Sequence, residues 1–159
     1  MTQEDIKNLP IHNLADDDCI LFMWITMPKL NEVFDVIKAW GFEYKTVGFV
    51  WVKKNKKKDT PFMGMGRWSR ANAELCLLAT KGKPKRISAS IHQIIDTLDD
   101  DSPVIYLPIE QHSKKPDITR DKILELCGDL PRIELFARQK VDGWNAWGNE
   151  IESDIHMVC

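Results

Sequence analysis

No stretch of this 159-residue chain approaches the roughly 20 consecutive apolar residues that a membrane-spanning helix requires. The opening Met-Thr-Gln-Glu-Asp has neither the basic start nor the apolar stretch of a secretory signal, and a cytoplasmic setting is expected. Cysteine is sparse: Cys19, Cys76, Cys127 and Cys159 stand far apart with no Cys-x-x-Cys pair. That spacing excludes a zinc knuckle and a dithiol redox centre, and no metal is expected. No internal repeat and no linker interrupts the chain. What remains, 43% hydrophobic and 29% charged, is the composition of one soluble domain with enough apolar material for its own core. A single domain over 1–159 is expected.

The net charge of −2 conceals an asymmetry. Residues 45–86 hold twelve Lys or Arg against only Asp59 and Glu74, a local balance of +10, so the rest of the chain carries −12. The basic stretch runs through Lys53, Lys54, Lys56, Lys57 and Lys58, then Arg67-Trp68-Ser69-Arg70, then Lys81-Gly82-Lys83-Pro84-Lys85-Arg86. Such a stretch suits phosphates, because each cation that neutralises one also releases a counterion. A lysine run alone is as readily a solvated loop. Phe62, Gly64, Gly66 and Trp68, set among the cations, favour nucleic acid, since a Trp beside Arg gives a base a face to stack on.

Periodicity predicts alternating strands and helices. A short helix is expected over 4–9. Residues 19–25 (CILFMWI) form an unbroken apolar run of strand length, as a central strand covered on both faces would. Thr26 is placed to cap the helix that follows, Pro28 suits its first turn, and Leu30, Val33, Phe34 and Ile37 recur at helical spacing before Gly41 ends it. Residues 44–53 and 74–80 read as strands, joined by a long basic loop over 54–71. Residues 86–98 fit a helix or a strand equally well, and 104–107 a short strand. Asp117 is placed to cap a helix over 118–127 closed by Gly128, and 132–137 (RIELFA) form the last strand. This order predicts an α/β fold with a mostly parallel sheet.

Two constellations carry possible chemistry. Lys114 and Lys115 precede a helix N-terminus, where side-chain charge and the helix dipole together suit a carboxylate or phosphate, although surface lysines beside a capping Asp look the same. After the last strand and Arg138, Asn149 and Glu150 are well typed for a nucleoside, since an acidic residue at the carboxyl end of a strand can accept from ribose hydroxyls. Trp144 and Trp147 as core plugs, with Asn149 ending a turn, is the plain alternative.

The motifs LFMWIT, AWGFEYKTVGFVWVKKN, GRWSR, ELCLLATKGKP, HSKKPD, RIELFARQ and GWNAWGNE, in this order, resemble the MT-A70 family. Its members are S-adenosylmethionine-dependent methyltransferases acting on the N(6) amine of adenine in DNA or RNA, and they include phage and bacterial types. The resemblance covers nearly the whole chain. It implies a Rossmann-like sheet with helices on both faces and S-adenosyl-L-methionine as cofactor. It implies that Lys115 meets the cofactor's carboxylate, and that Arg138, Asn149 and Glu150 hold its ribose and adenosine part. The loop carrying Lys53, Lys54, Lys56, Lys57, Lys58, Arg67, Trp68 and Arg70 matches the family's substrate or interface loop, and Glu74 matches the acidic residue that begins the next strand. Residues 97–108 have no counterpart in the shared pattern.

The family's catalytic signature, Asp-Pro-Pro-Trp at the end of a strand, is absent here, for none of the eight prolines adjoins another. No catalytic residue is therefore identified. In the family that signature precedes the segment matching Met1, so the chain is expected to lack one central strand at its N-terminus, lying between the 19–25 and 132–137 strands. A homo- or heterodimer with a relative is an expected assembly. The alternative function is a non-catalytic nucleic-acid-binding subunit that partners an active relative.

Overall fold

The computed structural model describes residues 1–54, 60, 63–91, 104–108 and 114–157, and of Lys54 and residues 104–108 the backbone alone. Helix α1 (Gln3–Lys7) starts on a reciprocal cap: the Thr2 hydroxyl accepts from the Asp5 amide, and the Asp5 carboxylate accepts from the Thr2 amide. Strand β1 (Cys19–Ile25) leads through a short 3-10 turn at Met27–Lys29 into helix α2 (Leu30–Ala39). Thr26 precedes that turn in extended conformation but makes no side-chain cap bond, so its expected capping role is not seen. Gly41, at φ +80°, ends the helix by the left-handed step that a residue without Cβ takes cheaply.

Strands β2 (Glu43–Lys54), β3 (Ala73–Lys81) and β4 (Val104–Pro108) follow, then helix α3 (Ile118–Cys127) and the short strands β5 (Ile133–Leu135) and β6 (Asn145–Trp147). The four-stranded sheet has the order β1-β3-β2-β4. Strand β3 pairs antiparallel with both β1 and β2, and β4 pairs parallel with β2 from Val50↔Val104 to Lys54↔Pro108. Among the described residues this sheet is mixed, not mostly parallel as expected, and β1 is an edge strand whose seven residues are all half-buried. The physical reason lies in the connections. The alternation of strands and helices led to the parallel expectation, but β3 runs opposite to both its neighbours, a pairing open to strands such as β2 and β3 that follow one another in the chain. Strands β5 and β6 form a separate parallel pair.

The two faces of the sheet differ. On one, α2 buries Val33, Val36 and Ile37 against Leu77 and Ala79 of β3, with Trp40 just past the helix and Leu9, Ile11 and Phe42 closing the cluster. Each Val, Leu and Ile side chain in this cluster contributes about 1.5–3 kcal/mol by leaving water. The Trp40 indole donates to the Ile6 carbonyl at 2.8 Å, which ties α1 to α2. On the other face β1 and β2 meet above β3 through aromatic pairs: Phe22 stacks on Phe49 with centroids 5.7 Å apart, and Trp24 meets Trp51 edge-on at 6.4 Å. Cys76 of β3, opposite Trp24 and Phe49 in register, lies wholly buried beneath them. Gly48 makes this approach possible, since a Cβ there would stand 3.4 Å from both the Cys76 carbonyl and the Leu78 Cβ.

Several boundaries depart from expectation. Strand β5 is half the length of the 132–137 run, because Phe136 turns to φ 58° and ends it. Residues 87–91 form neither helix nor strand, and the remainder of 92–98 lies outside the described residues, as do 97–103 of the unassigned insert. The end of that insert, β4, adds a strand at the edge of β2.

Candidate functional site

One end of the sheet gathers charge on the aromatic face. Trp24 stands near the carboxyl end of β1, Trp51 and Lys53 near that of β2, and Glu74 enters β3 opposite Trp51. Glu74 is 7% exposed, and each of its carboxylate oxygens is held by a different lysine. Lys53 Nζ donates to Oε1 at 2.5 Å, and Lys115 Nζ donates to Oε2. Burial works to raise the Glu74 carboxyl, but the Lys115 and Lys53 ammoniums outweigh it and hold the group below its ordinary range. The lysines also lie against the rings: Lys53 is 5.0 Å from the Trp51 centroid, and Lys115 is 5.8 and 5.9 Å from those of Trp24 and Trp51.

Lys115 belongs to the segment that delivers α3. Asp117 begins that helix without a side-chain cap bond, contrary to expectation, because its carboxylate is engaged elsewhere. It takes Lys114 at 2.8 Å, Arg120 at 2.7 Å and Gln139 at 3.3 Å. Lys114, followed by Arg120, holds the Asp117 carboxyl below the usual carboxylate range. Arg120 bridges on to Glu134 in the middle of β5, with Nε at 2.8 Å and Nη2 at 2.7 Å from the same oxygen. This link fixes the N-terminus of α3 against β5.

Between β1 and β5, with α3 along its wall, lies a cavity of about 1090 Å³. Trp24, Lys115, Glu134, Arg138, Trp144 and Glu150 are among its lining residues. Of the four cofactor residues named from the sequence, the structure thus brings Lys115, Arg138 and Glu150 to one space. Asn149 is exposed and lies outside the lining. Arg138 Nε donates to Glu150 at 3.0–3.1 Å across 12 residues. The turn bearing Glu150 is held by the Ser153 hydroxyl, which accepts from the Gly148 amide and donates to the Gly148 carbonyl. Gly148 itself sits against the Ala137 backbone, where a Cβ would overlap the carbonyl oxygen.

The basic loop is described in part. Gly66 folds onto Ser69, so that the bend at 67–69 projects Arg67, Trp68 and Arg70 into solvent. Trp68 is 97% exposed, beside an equally open Met65. Lys53, grouped with this loop in the sequence, is instead turned inward onto Glu74. The Lys54 side chain and Lys56, Lys57 and Lys58 lie outside the described residues. Among the described residues no cluster of three or more His, Cys, Asp or Glu could hold a metal, and no helix is long and apolar enough to cross a membrane.

The MT-A70 family profile matches residues 1–150. The chain belongs to the MT-A70 family. Similar proteins in it include the type II methyltransferase M.MunI of a Mycoplasma species, 35% identical over 150 residues that make up 93% of this chain and 57% of that protein. The human N(6)-adenosine-methyltransferase catalytic subunit METTL3 is 28% identical over 161 residues, 99% of this chain and 26% of its own length. The mouse N(6)-adenine-specific methyltransferase METTL4 is 27% identical over 165 residues, 99% of this chain and 34% of its own. This MT-A70 chain therefore spans a little over half of the first relative and about a quarter to a third of the others.

Proposed function

We propose that this chain is the body of an S-adenosylmethionine-dependent methyltransferase acting on the N(6) amine of adenine in DNA or RNA. The observation that carries the reading is the cavity between β1 and β5, which brings Lys115, Arg138 and Glu150 together from segments up to 35 residues apart. Its donor set fits the cofactor: an ammonium for the carboxylate, a guanidinium and a carboxylate for the polar edge of a nucleoside, and tryptophans for its apolar surface. When bound, S-adenosylmethionine supplies an electrophilic methyl group. The chain's own residues bind and orient. Lys115 takes the carboxylate, while Arg138 and Glu150, with Asn149 next to Glu150 in the chain, take the ribose and adenosine part. Trp24 and Trp144 keep water from the space between. Such alignment, without a covalent intermediate, is what methyl transfer to an amine asks of a protein.

Arg67, Trp68 and Arg70, with Lys54, Lys56, Lys57 and Lys58 of the same basic stretch of sequence, are the residues we assign to nucleic-acid binding, with cations for phosphates and Trp68 for a stacked base. We also read the gap between β1 and β5 as the place of one more parallel strand, completing a Rossmann-like sheet. One feature supports this: the apolar run of β1 is written for burial on both faces yet is half-buried throughout. A homo- or heterodimer with a second MT-A70 chain, in the cytoplasm, completes the reading.

The test is transfer of labelled methyl from S-adenosylmethionine to single- and double-stranded DNA and RNA by the full-length protein. Label recovered as N(6)-methyladenine supports the reading, and its absence from all four substrates refutes it. Salt-sensitive nucleic-acid binding without cofactor binding would identify a non-catalytic subunit instead.

A further inference from the structure

Lys53 and Lys115 share Glu74 but occupy unequal positions. Lys115 lines the cavity and its side chain is 32% exposed, whereas Lys53 is 21% exposed and is not part of the lining. Lys53 is fixed by β2, its amide bonded to the Asn72 carbonyl at 2.7 Å and its side chain laid over Trp51. Lys115 sits in the irregular segment ahead of α3. A ligand in the cavity can therefore reach one of these ammoniums and not the other.

We propose that Lys53 is a positioning residue that keeps Glu74 compensated, so that Lys115 can exchange Glu74 for an anionic group of the ligand. The inference rests on the cofactor reading above and adds the step that reading leaves open, since Lys115 is already paired. A carboxylate as buried as Glu74 cannot give up its last counter-ion without a large penalty. Because the two lysines hold different oxygens, departure of Lys115 leaves the Lys53 bond to Oε1 intact. The Trp24 and Trp51 rings, each within 6 Å of the Lys115 ammonium, give that charge a favourable surface while it changes partner.

Calorimetry on the full chain tests this with two probes, S-adenosylhomocysteine, which carries the amino-acid carboxylate, and 5′-methylthioadenosine, which lacks it. Lys53→Met should weaken S-adenosylhomocysteine by about tenfold or more, the loss of roughly 1.4 kcal/mol, and leave 5′-methylthioadenosine within about twofold. Lys53→Arg should restore the difference between the probes. In a Glu74→Gln background, with no buried carboxylate to strand, Lys53→Met should change neither affinity, and this comparison stands even where the single variant does not fold. Equal weakening of both probes by Lys53→Met, no weakening of either, or an effect that persists in the Glu74→Gln background overturns the inference alone. Failure of the unaltered chain to bind either probe overturns the cofactor reading and this inference with it.

Discussion

Replacing Glu74 by glutamine keeps the side chain's size and removes one buried charge. Lys53 and Lys115, 21% and 32% exposed, then lose the carboxylate they share. Breaking a buried ion pair from one side costs about 3–5 kcal/mol, and because both ammoniums reach solvent in part the lower end applies, about 3 kcal/mol. For a domain of this size that is a fall in melting temperature of roughly 6–12 °C. The pH dependence separates charge from packing. The Glu74 carboxyl is held below its free value of 4.5 in the folded chain, so its contribution is complete above that pH and fades as the pH falls through the lower, folded value. Urea unfolding of both proteins at a series of pH values should therefore show a gap that is full at pH 7 and closes in acid, where a protonated Glu74 resembles glutamine. A gap below about 1 kcal/mol at pH 7, or one that does not change with pH, would refute the charge-cluster account.

Three further outcomes follow from geometry already given. Phe49→Ala removes a ring that is wholly buried and stacked on Phe22, and should cost about 3–5 kcal/mol in chemical denaturation. Gly148→Ala places a Cβ on the Ala137 carbonyl; it should displace the turn carrying Glu150 and weaken S-adenosylhomocysteine in calorimetry by about tenfold, with Ser153→Ala acting in the same direction. Trp68→Ala, at a side chain 97% exposed, should leave stability within about 0.5 kcal/mol but weaken single-stranded oligonucleotides by about 1–3 kcal/mol in a fluorescence titration.

Local pattern located the elements well and their neighbours poorly. The apolar run at 19–25 and the helical spacing from Leu30 to Ile37 stand as β1 and α2, since each signal is complete within one segment. The run points to burial on both faces, but which strands lie beside β1 depends on segments far away in the chain, and no residue of the run names them. The β5–β6 pair was half legible: Ile133–Leu135 reads as a strand, whereas Asn145–Trp147 was hidden among glycines and tryptophans that resemble a turn. At the site, the motif order pointed to Lys115, Arg138 and Glu150. The partners of Lys115 were beyond reach, because Glu74 lies 41 residues away and its second lysine looked like one more cation of the basic loop. The Arg120–Glu134 bridge was likewise missed, for 14 residues and a loop separate its ends.

The Cys76 thiol, buried between the aromatic pairs of β1 and β2, acquires a meaning beyond packing. Burial pushes it far above the ordinary thiol range, so almost no thiolate forms and reagents find nothing to attack. Its register partners lie on both neighbouring strands, Trp24 on one side and Phe49 on the other. Alkylation at Cys76 must wait for those ladders to part, so its rate follows the opening of the sheet itself. The cysteine serves as a clock for the sheet on which the charge cluster is built.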